Sequence, residues 1–449
     1  RRDFALRSKR ISKRYEVRWY RVYNVLIKGV FLLGGMNMNL FEELEWRGLV
    51  DNITSPEVKD AINNEKLTFY IGTDPTADSL HIGHYSSLLM AKRLEKHGHH
   101  PIMLVGGATG FIGDPKATGE RNMLTQETLK ANYDALHEQI SKLWGFEMVN
   151  NLDWIKDISV IDFLRDYGKF FNVNYMINKE TVKKRLDTGI SYTEFSYMIL
   201  QSLDFLHLYQ EKNCTLQIGG QDQWGNITSG LELIRKKCGA DVKCYGLTMP
   251  LITKADGTKF GKSESGTVWL DASKTSPYEL YQFLFNTDDR KVIEYLKKLT
   301  FLTREQIEEL EVSLQNEPHK RLAQKTLASE VVRDLHGQEG LDCALKITEA
   351  LFKGKIQELT DDQKLDAIRN MEKLHCEQGK TLLETLVESG IASSRREARE
   401  WIKGNSIMVN GTKITDPDYM MTPDNHCVCV KNYSIIRRGK KNYYCLELK

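Results

Sequence analysis

The stretch Leu67-Thr-Phe-Tyr-Ile-Gly-Thr-Asp-Pro-Thr-Ala-Asp-Ser-Leu-His-Ile-Gly-His84 decides the fold. Leu67 to Ile71 is a short apolar run, which reads as a buried strand. Gly72-Thr73-Asp74-Pro75-Thr76 is turn chemistry. His81 to His97 then carries Leu88, Leu89 and Leu94 at helical spacing. The pattern recurs along the chain. A strand at Pro101 to Val105 leads into a tight turn, Gly106-Gly107-Ala108-Thr109-Gly110, and a helix at Leu124 to Leu143 capped by Thr125. A helix at Thr193 to Glu211, a strand at Thr215 to Ile218, a helix at Gln223 to Lys237 and a strand at Tyr245 to Ile252 follow. Strands alternating with helices predict an α/β fold with a doubly wound parallel sheet over residues 38–253.

Beyond the sheet, residues 254–353 open with the irregular, glycine- and lysine-rich run Lys254 to Thr267 and are helical from Ser276 to Phe352. Residues 354–380 are polar and weakly periodic and read as a linker. Residues 381–449 read as a small α+β domain, with helices at Leu382 to Gly390 and Ser393 to Gly404 before the hairpin Ser406 to Ile414. Its turn is Asn410-Gly411, which favours type I′. Residues 1–37 look foreign to the rest of the chain. Gly34-Gly35 before Met36-Asn37-Met38 suggests in-frame reading through a ribosome-binding site, so that this segment is absent from the native protein. A basic targeting segment is the second reading.

The 449 residues carry a net charge of +2, with 28% charged and 41% hydrophobic residues. That composition excludes disordered and collagenous classes, and no apolar run is long enough to span a bilayer, so a soluble protein is expected. The total hides a polarised distribution. Residues 1–35 hold ten Lys/Arg against two acidic residues, and residues 380–449 hold twelve against eight. The middle is therefore acidic, and RNA contact is expected at the C-terminal end. The eight cysteines have no paired spacing, which argues against zinc or a disulfide framework and fits a reducing cytoplasm. Cys427 and Cys429 lie in an apparent strand, His426 to Val430.

Four segments carry chemistry. His81-Ile82-Gly83-His84 opens a helix, whose free N–H groups suit a polyphosphate, while Gly83 lets a nucleoside approach the backbone. Alone, two histidines at a helix start are more often a structural pair. Lys259-Phe260-Gly261-Lys262-Ser263 lies between Gly257 and Gly266, where a closing loop could bring lysines to a leaving pyrophosphate. Alone it would be a solvated basic loop. Tyr197, Gln201 and Asp204 share one face of an apolar helix, where a capped or paired Asp is the bland alternative. Gly219-Gly220-Gln221-Asp222-Gln223-Trp224-Gly225-Asn226 runs from a strand end into a helix, the place where an Asp can accept ribose hydroxyls.

In this order the four segments resemble class I aminoacyl-tRNA synthetases, and the second pair makes the chain similar to the bacterial-type tyrosyl enzymes over residues 39–449. The C-terminal module resembles the RNA-binding fold of ribosomal small-subunit protein four. The resemblance implies a nucleotide-binding domain, a helical domain and an RNA-binding domain, and a ligase that activates tyrosine with ATP and charges tRNA(Tyr). It implies that Tyr70 and Asp204 read the substrate phenol and that Asp114, Tyr197 and Gln201 hold its ammonium, with Gln223 near the activated carboxylate. ATP is expected on Gly72, Asp74, His81, Gly83, His84, Gly220, Asp222, Leu251, Ile252, Lys259, Lys262 and Ser263. Thr76, His81, His84, Arg121, Lys259 and Lys262 are expected to stabilise the transferring phosphoryl group, with Mg²⁺ accompanying ATP and no protein-held metal. Three departures stand out: Ile71 where a ribose-reaching cysteine is frequent, a short Lys116 to Arg121 stretch that favours Arg121 over Lys116, and Gln221 where serine is common.

RNA is expected on Arg395, Arg396, Arg399 and Lys403 of the second C-terminal helix and on Arg437, Arg438, Lys440 and Lys441. A homodimer is implied by the resemblance. Two rivals remain: a tryptophanyl-type synthetase, which Tyr70 and Asp204 disfavour, and an RNA-binding protein on a synthetase scaffold, which the full set of histidines and lysines disfavours.

Overall fold

The computed structural model describes residues 38–115, 123–263, 266–369, 371–422, 429–439 and 442–449. The extension 1–37, Lys116, Arg121, Cys427 with most of its expected strand, Lys440 and Lys441 lie outside the described residues. The site lies within the compact unit 44–449.

The main sheet comprises β1 (Asn52–Ile53), β2 (Thr68–Thr73), β3 (His100–Val105), β4 (Glu147–Asn150), β5 (Cys214–Gly220) and β6 (Tyr245–Met249), in the order β1-β6-β5-β2-β3-β4. Five strands are parallel; β4 and the two-residue strand β1, neither expected from the sequence, lie at the two edges, and β1 pairs antiparallel with β6. Phe69, Tyr70 and Ile71 of the central strand β2 are buried, which is why the run is apolar on both faces. Strand order reverses between β2 and β5, opening a crevice at their carboxyl ends.

Helix α1 (Ile82–Lys96) enters from that crevice. Leu88, Leu89 and Leu94 bury its inner face, each worth on the order of 2 kcal/mol. Helix α2 (Gln126–Leu143) starts at Thr125, whose hydroxyl accepts from the Thr128 amide at 3.2 Å. Helices α3 (Tyr192–Lys212) and α4 (Trp224–Cys238) complete the layer around the crevice. The expected turn at 106–110 is a turn only as far as Ala108. Gly110 and Gly113 amides bond Gly106 and Thr109 carbonyls at 2.8 Å, closing a short helix, Thr109–Ile112.

After β6 comes the small hairpin β7 (Lys262–Ser263) and β8 (Gly266–Thr267), then helices α5 (Pro277–Phe285), α6 (Asp289–Leu299), α7 (Arg304–Asn316) and α8 (Leu322–Lys353). Two polar ties fix α1 to this layer: the Tyr85 hydroxyl donates to Asp334 at 2.6 Å and Arg93 donates to the Thr300 carbonyl at 2.8 Å.

The stretch 354–380, expected as a linker, is folded. It contains α9 (Asp361–Ile368) and β9 (Lys373–Cys376), and β9 is the parallel edge strand of a second sheet, ordered β11-β10-β12-β13-β9. Its apolar residues are few and spread over short elements, but Ile356, Leu359, Ala367, Ile368 and Cys376 are buried. The remaining elements are α10 (Leu382–Glu388), α11 (Arg395–Lys403), β10 (Ile407–Val409), β11 (Thr412–Lys413), β12 (Tyr433–Arg438) and β13 (Asn442–Leu448). Asn410 and Gly411 have φ of 48° and 87°, as a type I′ turn requires. No described helix is long and apolar enough to cross a membrane.

Candidate active site

The crevice collects side chains from both halves of the sheet. At its floor Tyr70 and Asp204 are each 1% exposed. Asp204 accepts from Asn151 Nδ2 and from Trp154 Nε1, both at 3.0 Å. Burial nevertheless pushes its carboxyl up to about 8, with the Asp74 charge adding to the effect against those two hydrogen bonds. Burial and then the Asp204 charge push the Tyr70 hydroxyl well above the usual tyrosine range. That hydroxyl has no hydrogen-bond partner among the described residues. A buried polar atom without a partner costs about 1–3 kcal/mol. A ligand hydroxyl placed between Tyr70 and Asp204 would satisfy both.

Above this floor the polar groups form a chain. Tyr197 donates to Asp74 Oδ2 at 3.1 Å, and Thr109 donates to Asp74 Oδ1 at 2.8 Å. Gln223 Nε2 donates to Asp114 at 2.9 Å, and Asn226 donates to both Asp114 and Gln223. Gln201 Nε2 donates to Gln223 at 3.1 Å, while its Oε1 is buried without a hydrogen-bond partner. Burial, helped by the charges of Asp74 and Asp222 and opposed by two side-chain hydrogen bonds, lifts Asp114 to about 6. Clustered carboxylates beside a tyrosine and an unsatisfied amide oxygen suit a cationic ammonium group. Lys179 stands nearby: its ammonium donates to Ser229 at 2.6 Å and to the Gly225 carbonyl, and burial brings it down to about 8.

At the mouth, His81 and His84 are stacked, with ring centroids 3.9 Å apart. His81 Nδ1 accepts from the Gly83 amide at 3.1 Å, and His84 Nδ1 accepts from the His81 amide at 3.3 Å. The two rings cap α1 reciprocally. Burial, then its stacked neighbour, drive His84 down to about 3. His81 is lowered by burial and by the charges of Lys259 and Lys262. Both rings are therefore neutral near pH 7, and with each Nδ1 accepting, each Nε2 carries a proton it can donate. A cleft of about 260 Å³ opens here, walled by Asp74, Thr76, His81, His84 and Trp269.

The lysine loop is laid against this helix start. Ile82 donates to the Val268 carbonyl and Val268 to the Gly261 carbonyl, both at 2.9 Å. Gly261 has a φ of +96°, and a Cβ there would come 3.3 Å from the Gly83 amide nitrogen. Phe260 anchors the loop among Phe283 and Tyr295, at 5.4 and 4.7 Å between centroids. Lys259 and Lys262 remain exposed, and Ser263 lies in β7. Gly72 lies near the end of β2, Gly220 ends β5, exposed Asp222 follows it, and exposed Leu251 with Ile252 follows β6. Of the expected residues, Asp74, Thr76, His81 and His84 line one cleft, and hydrogen bonds join Tyr197 to Asp74, Gln201 to Gln223 and Gln223 to Asp114. Asn151, Trp154, Thr109, Asn226, Lys179 and Trp269 were not expected. Asn226 and Thr109 lie in segments the sequence had singled out without naming them as site residues, whereas Asn151, Trp154, Lys179 and Trp269 lie in segments with no motif of their own.

On the C-terminal module the basic residues divide. Arg399 and Lys403 are exposed; Arg395 is 3.5 Å from Glu384, and Arg396 pairs with Glu400 at 3.1 Å while remaining largely exposed. Arg437 is turned inward: it donates to the Leu351 and Phe352 carbonyls at 3.1 and 2.8 Å, closing the end of α8. Arg438 lies over Trp401, its guanidinium carbon 4.4 Å from the ring centroid.

Comparison with known proteins meets this geometry. The family model described as tRNA synthetases class I (W and Y) matches residues 62–353, and that of the tyrosine–tRNA ligase SYY-like C-terminal domain matches residues 363–446. The chain is 51% identical over 420 residues to tyrosine–tRNA ligase 2 of Bacillus cereus (strain ATCC 10987 / NRS 248), covering 92% of this chain and 100% of that one. It is equally 51% identical over 420 residues to the tyrosine–tRNA ligase of Geobacillus stearothermophilus, covering 91% of this chain and 100% of that one. Among solved structures, a C-terminally truncated mitochondrial tyrosyl-tRNA synthetase of Aspergillus nidulans matches with a TM-score of 0.64 at 28% identity, covering 76% of this chain and 100% of that one. The chain belongs to the tyrosine–tRNA ligases, a family of class I aminoacyl-tRNA synthetases.

Proposed function

We propose that the protein activates L-tyrosine with ATP and transfers the tyrosyl group to the 3′ end of tRNA(Tyr). The observation that carries this reading is the unpartnered Tyr70 hydroxyl beside buried Asp204, a floor that only a ligand hydroxyl completes. Phenylalanine in the same place would leave the Tyr70 hydroxyl without a partner, a penalty that reads directly as discrimination. Asp114, Tyr197 and Gln201 take the ammonium, and Gln223 lies beside them toward the carboxylate.

In activation a tyrosine carboxylate oxygen attacks the ATP α-phosphorus as the bond to the bridging oxygen breaks. Pyrophosphate leaves, and tyrosyl-adenylate remains. The 3′-terminal ribose hydroxyl of the tRNA then attacks the tyrosyl carbonyl and releases AMP. No side chain needs to become covalently bound. The Nε2–H donors of His81 and His84, the Thr76 hydroxyl, Lys259, Lys262 and Arg121 stabilise charge that builds on the phosphates. Asp222 receives the ribose, with Gly72, Asp74, Gly83, Gly220, Leu251, Ile252 and Ser263 around the nucleotide. Mg²⁺ comes with the ATP, held by phosphate oxygens and water.

RNA contact is assigned to Arg395, Arg396, Arg399, Lys403 and Arg438, with Lys440 and Lys441. A homodimer is supported by Val160, Ile161, Leu164, Val173 and Tyr175, exposed large apolar side chains close together in the chain. The described cysteines are all free thiols, which suits the cytoplasm. The test is exchange of labelled pyrophosphate into ATP with tyrosine, phenylalanine or tryptophan, on wild type and Asp204→Ala. Exchange with tyrosine alone, lost in the variant, is expected. Exchange with tryptophan would favour the tryptophanyl rival, and tRNA binding without any exchange would leave an RNA-binding protein.

A further inference from the structure

Behind the lysine loop lies a second cavity, of about 930 Å³, bounded by the loop, by α5 and α6, and by α9 of the C-terminal module. Thr267 and Trp269 form the wall between it and the His81 cleft. Its lining is aromatic on the loop side, with Phe260, Phe283 and Tyr295 packed together. Lys254, Lys274, Arg290 and Lys291 line it together with Asp256 and Asp288, and two further carboxyls, Glu279 and Asp366, come from facing helices. The Glu279 side chain is 8% exposed; one oxygen caps α5 by accepting from the Ser276 amide at 2.7 Å, and the other has no hydrogen-bond partner among the described residues. Asp366 likewise has one buried oxygen without a hydrogen-bond partner. Arg369 stands 3.9 and 3.7 Å from the two carboxyls, beyond hydrogen-bond distance.

We propose that this cavity is a second ligand site for a small aromatic amine, whose ammonium bonds Glu279 and Asp366 while its ring packs against Phe260, Phe283 and Tyr295. An ammonium brings three donors, enough for both unsatisfied oxygens. The aromatic wall supplies the apolar half and a face for the cation. The volume lies within the range of small-molecule sites. Burial raises both carboxyls above their ordinary range and Asp366 raises Glu279 further, against the lowering effect of the Arg369 charge and of hydrogen bonds to Ser276, and a bound cation relieves the cost that remains. A bare metal ion is a poorer match, because two carboxylates do not make a cage and no third acidic, histidine or cysteine ligand joins them among the described residues.

Occupancy has a mechanical consequence. Phe260 lies between Lys259 and Gly261, and the Gly261–Val268–Ile82 backbone bonds tie the same wall to α1. A ligand packed on Phe260 holds the lysine loop and slows any step in which Lys259 and Lys262 must close on the phosphates. This coupling rests on the activity proposed above; the binding itself does not.

The test is calorimetric titration of tryptamine into the full chain with tyrosine at saturation, and of indole-3-propionate as the matched anion. The titration is repeated on Glu279→Gln and Asp366→Asn, and pyrophosphate exchange is measured with and without tryptamine. The expected result is one tryptamine per chain in the presence of tyrosine, at least about tenfold weaker binding in each variant, and none of the anion. Exchange should slow through kcat, with the tyrosine KM unchanged. No tryptamine binding, displacement by tyrosine, or equal affinity for the variants and the anion would overturn the site. Unchanged exchange with tryptamine bound would overturn the hold on the loop. Binding as expected in a protein that exchanges with no amino acid would keep the site and reject the activity.

Discussion

Asp204 owes its properties to partners that are remote in the chain. Asn151 and Trp154 donate to its two oxygens, and Tyr70 comes from the central strand. The sign of its effect on stability follows from its titration. An unfolded carboxyl titrates near about 4, whereas burial lifts Asp114 to about 6 and Asp204 to about 8. Between these limits the folded chain binds more protons than the unfolded one, so stability falls as pH rises through the window. Urea midpoints of the ligand-free protein should therefore decline from pH 6 to 8, and Asp204→Asn should flatten that segment. Asp114→Asn should flatten only the part below about pH 6. A decline unchanged by Asp204→Asn would show that the carboxyl is already ionised when folded.

At the scale of elements, close backbone approaches set the tolerances. The turn of the β10–β11 hairpin meets the end of α8: a Cβ at Gly411, where φ is +87°, would come 2.1 Å from the Gly354 carbonyl oxygen. Gly411→Ala should cost roughly 2 kcal/mol, from left-handed strain together with displacement of α8. Calorimetry should show a lower Tm for the C-terminal module, while exchange of pyrophosphate is unchanged. The lysine loop obeys the same logic at Gly261, whose φ of +96° and contact with Gly83 exclude a side chain. Gly261→Ala should lower kcat for activation about tenfold, through about 1.4 kcal/mol of strain in the closed loop. Equal kcat in the variant would mean that the loop does not press on α1 during the reaction.

At the scale of the molecule, charge is separated along the chain: residues 380–449 carry twelve basic against eight acidic residues, while the larger middle is acidic. An acidic body would repel RNA, so the basic module is where contact is expected. Replacing Arg396, Arg399 and Lys403 together with alanine should raise the KM for tRNA about tenfold and reduce the salt slope of binding by about 2, with exchange unaltered. An unchanged slope would place RNA elsewhere. The apolar face around Val160 and Ile161 belongs to the same scale. Val160→Asp with Ile161→Asp should convert a dimer to a monomer in analytical ultracentrifugation, and a wild type that sediments as a monomer would remove that reading.

The strands β2, β3, β5 and β6, the helices around the crevice, the Thr125 cap of α2 and the Asn410-Gly411 turn were determined by the sequence alone, because the pattern that marks each lies within a few residues. Apolar runs, helical spacing, a residue that accepts from an amide a few positions on and a pair that tolerates positive φ are all local. The edge strand β1, the folding of 354–380 and the inward turn of Arg437 onto α8 were decided only in three dimensions. In each case the stabilising contact lies tens to hundreds of residues away and leaves no periodic trace. The same holds within the site. The motif residues announce themselves by spacing, whereas Asn151 and Trp154 matter only because the fold carries β4 to the foot of α3. The cavity that Glu279 and Asp366 share exists only where α5 meets α9.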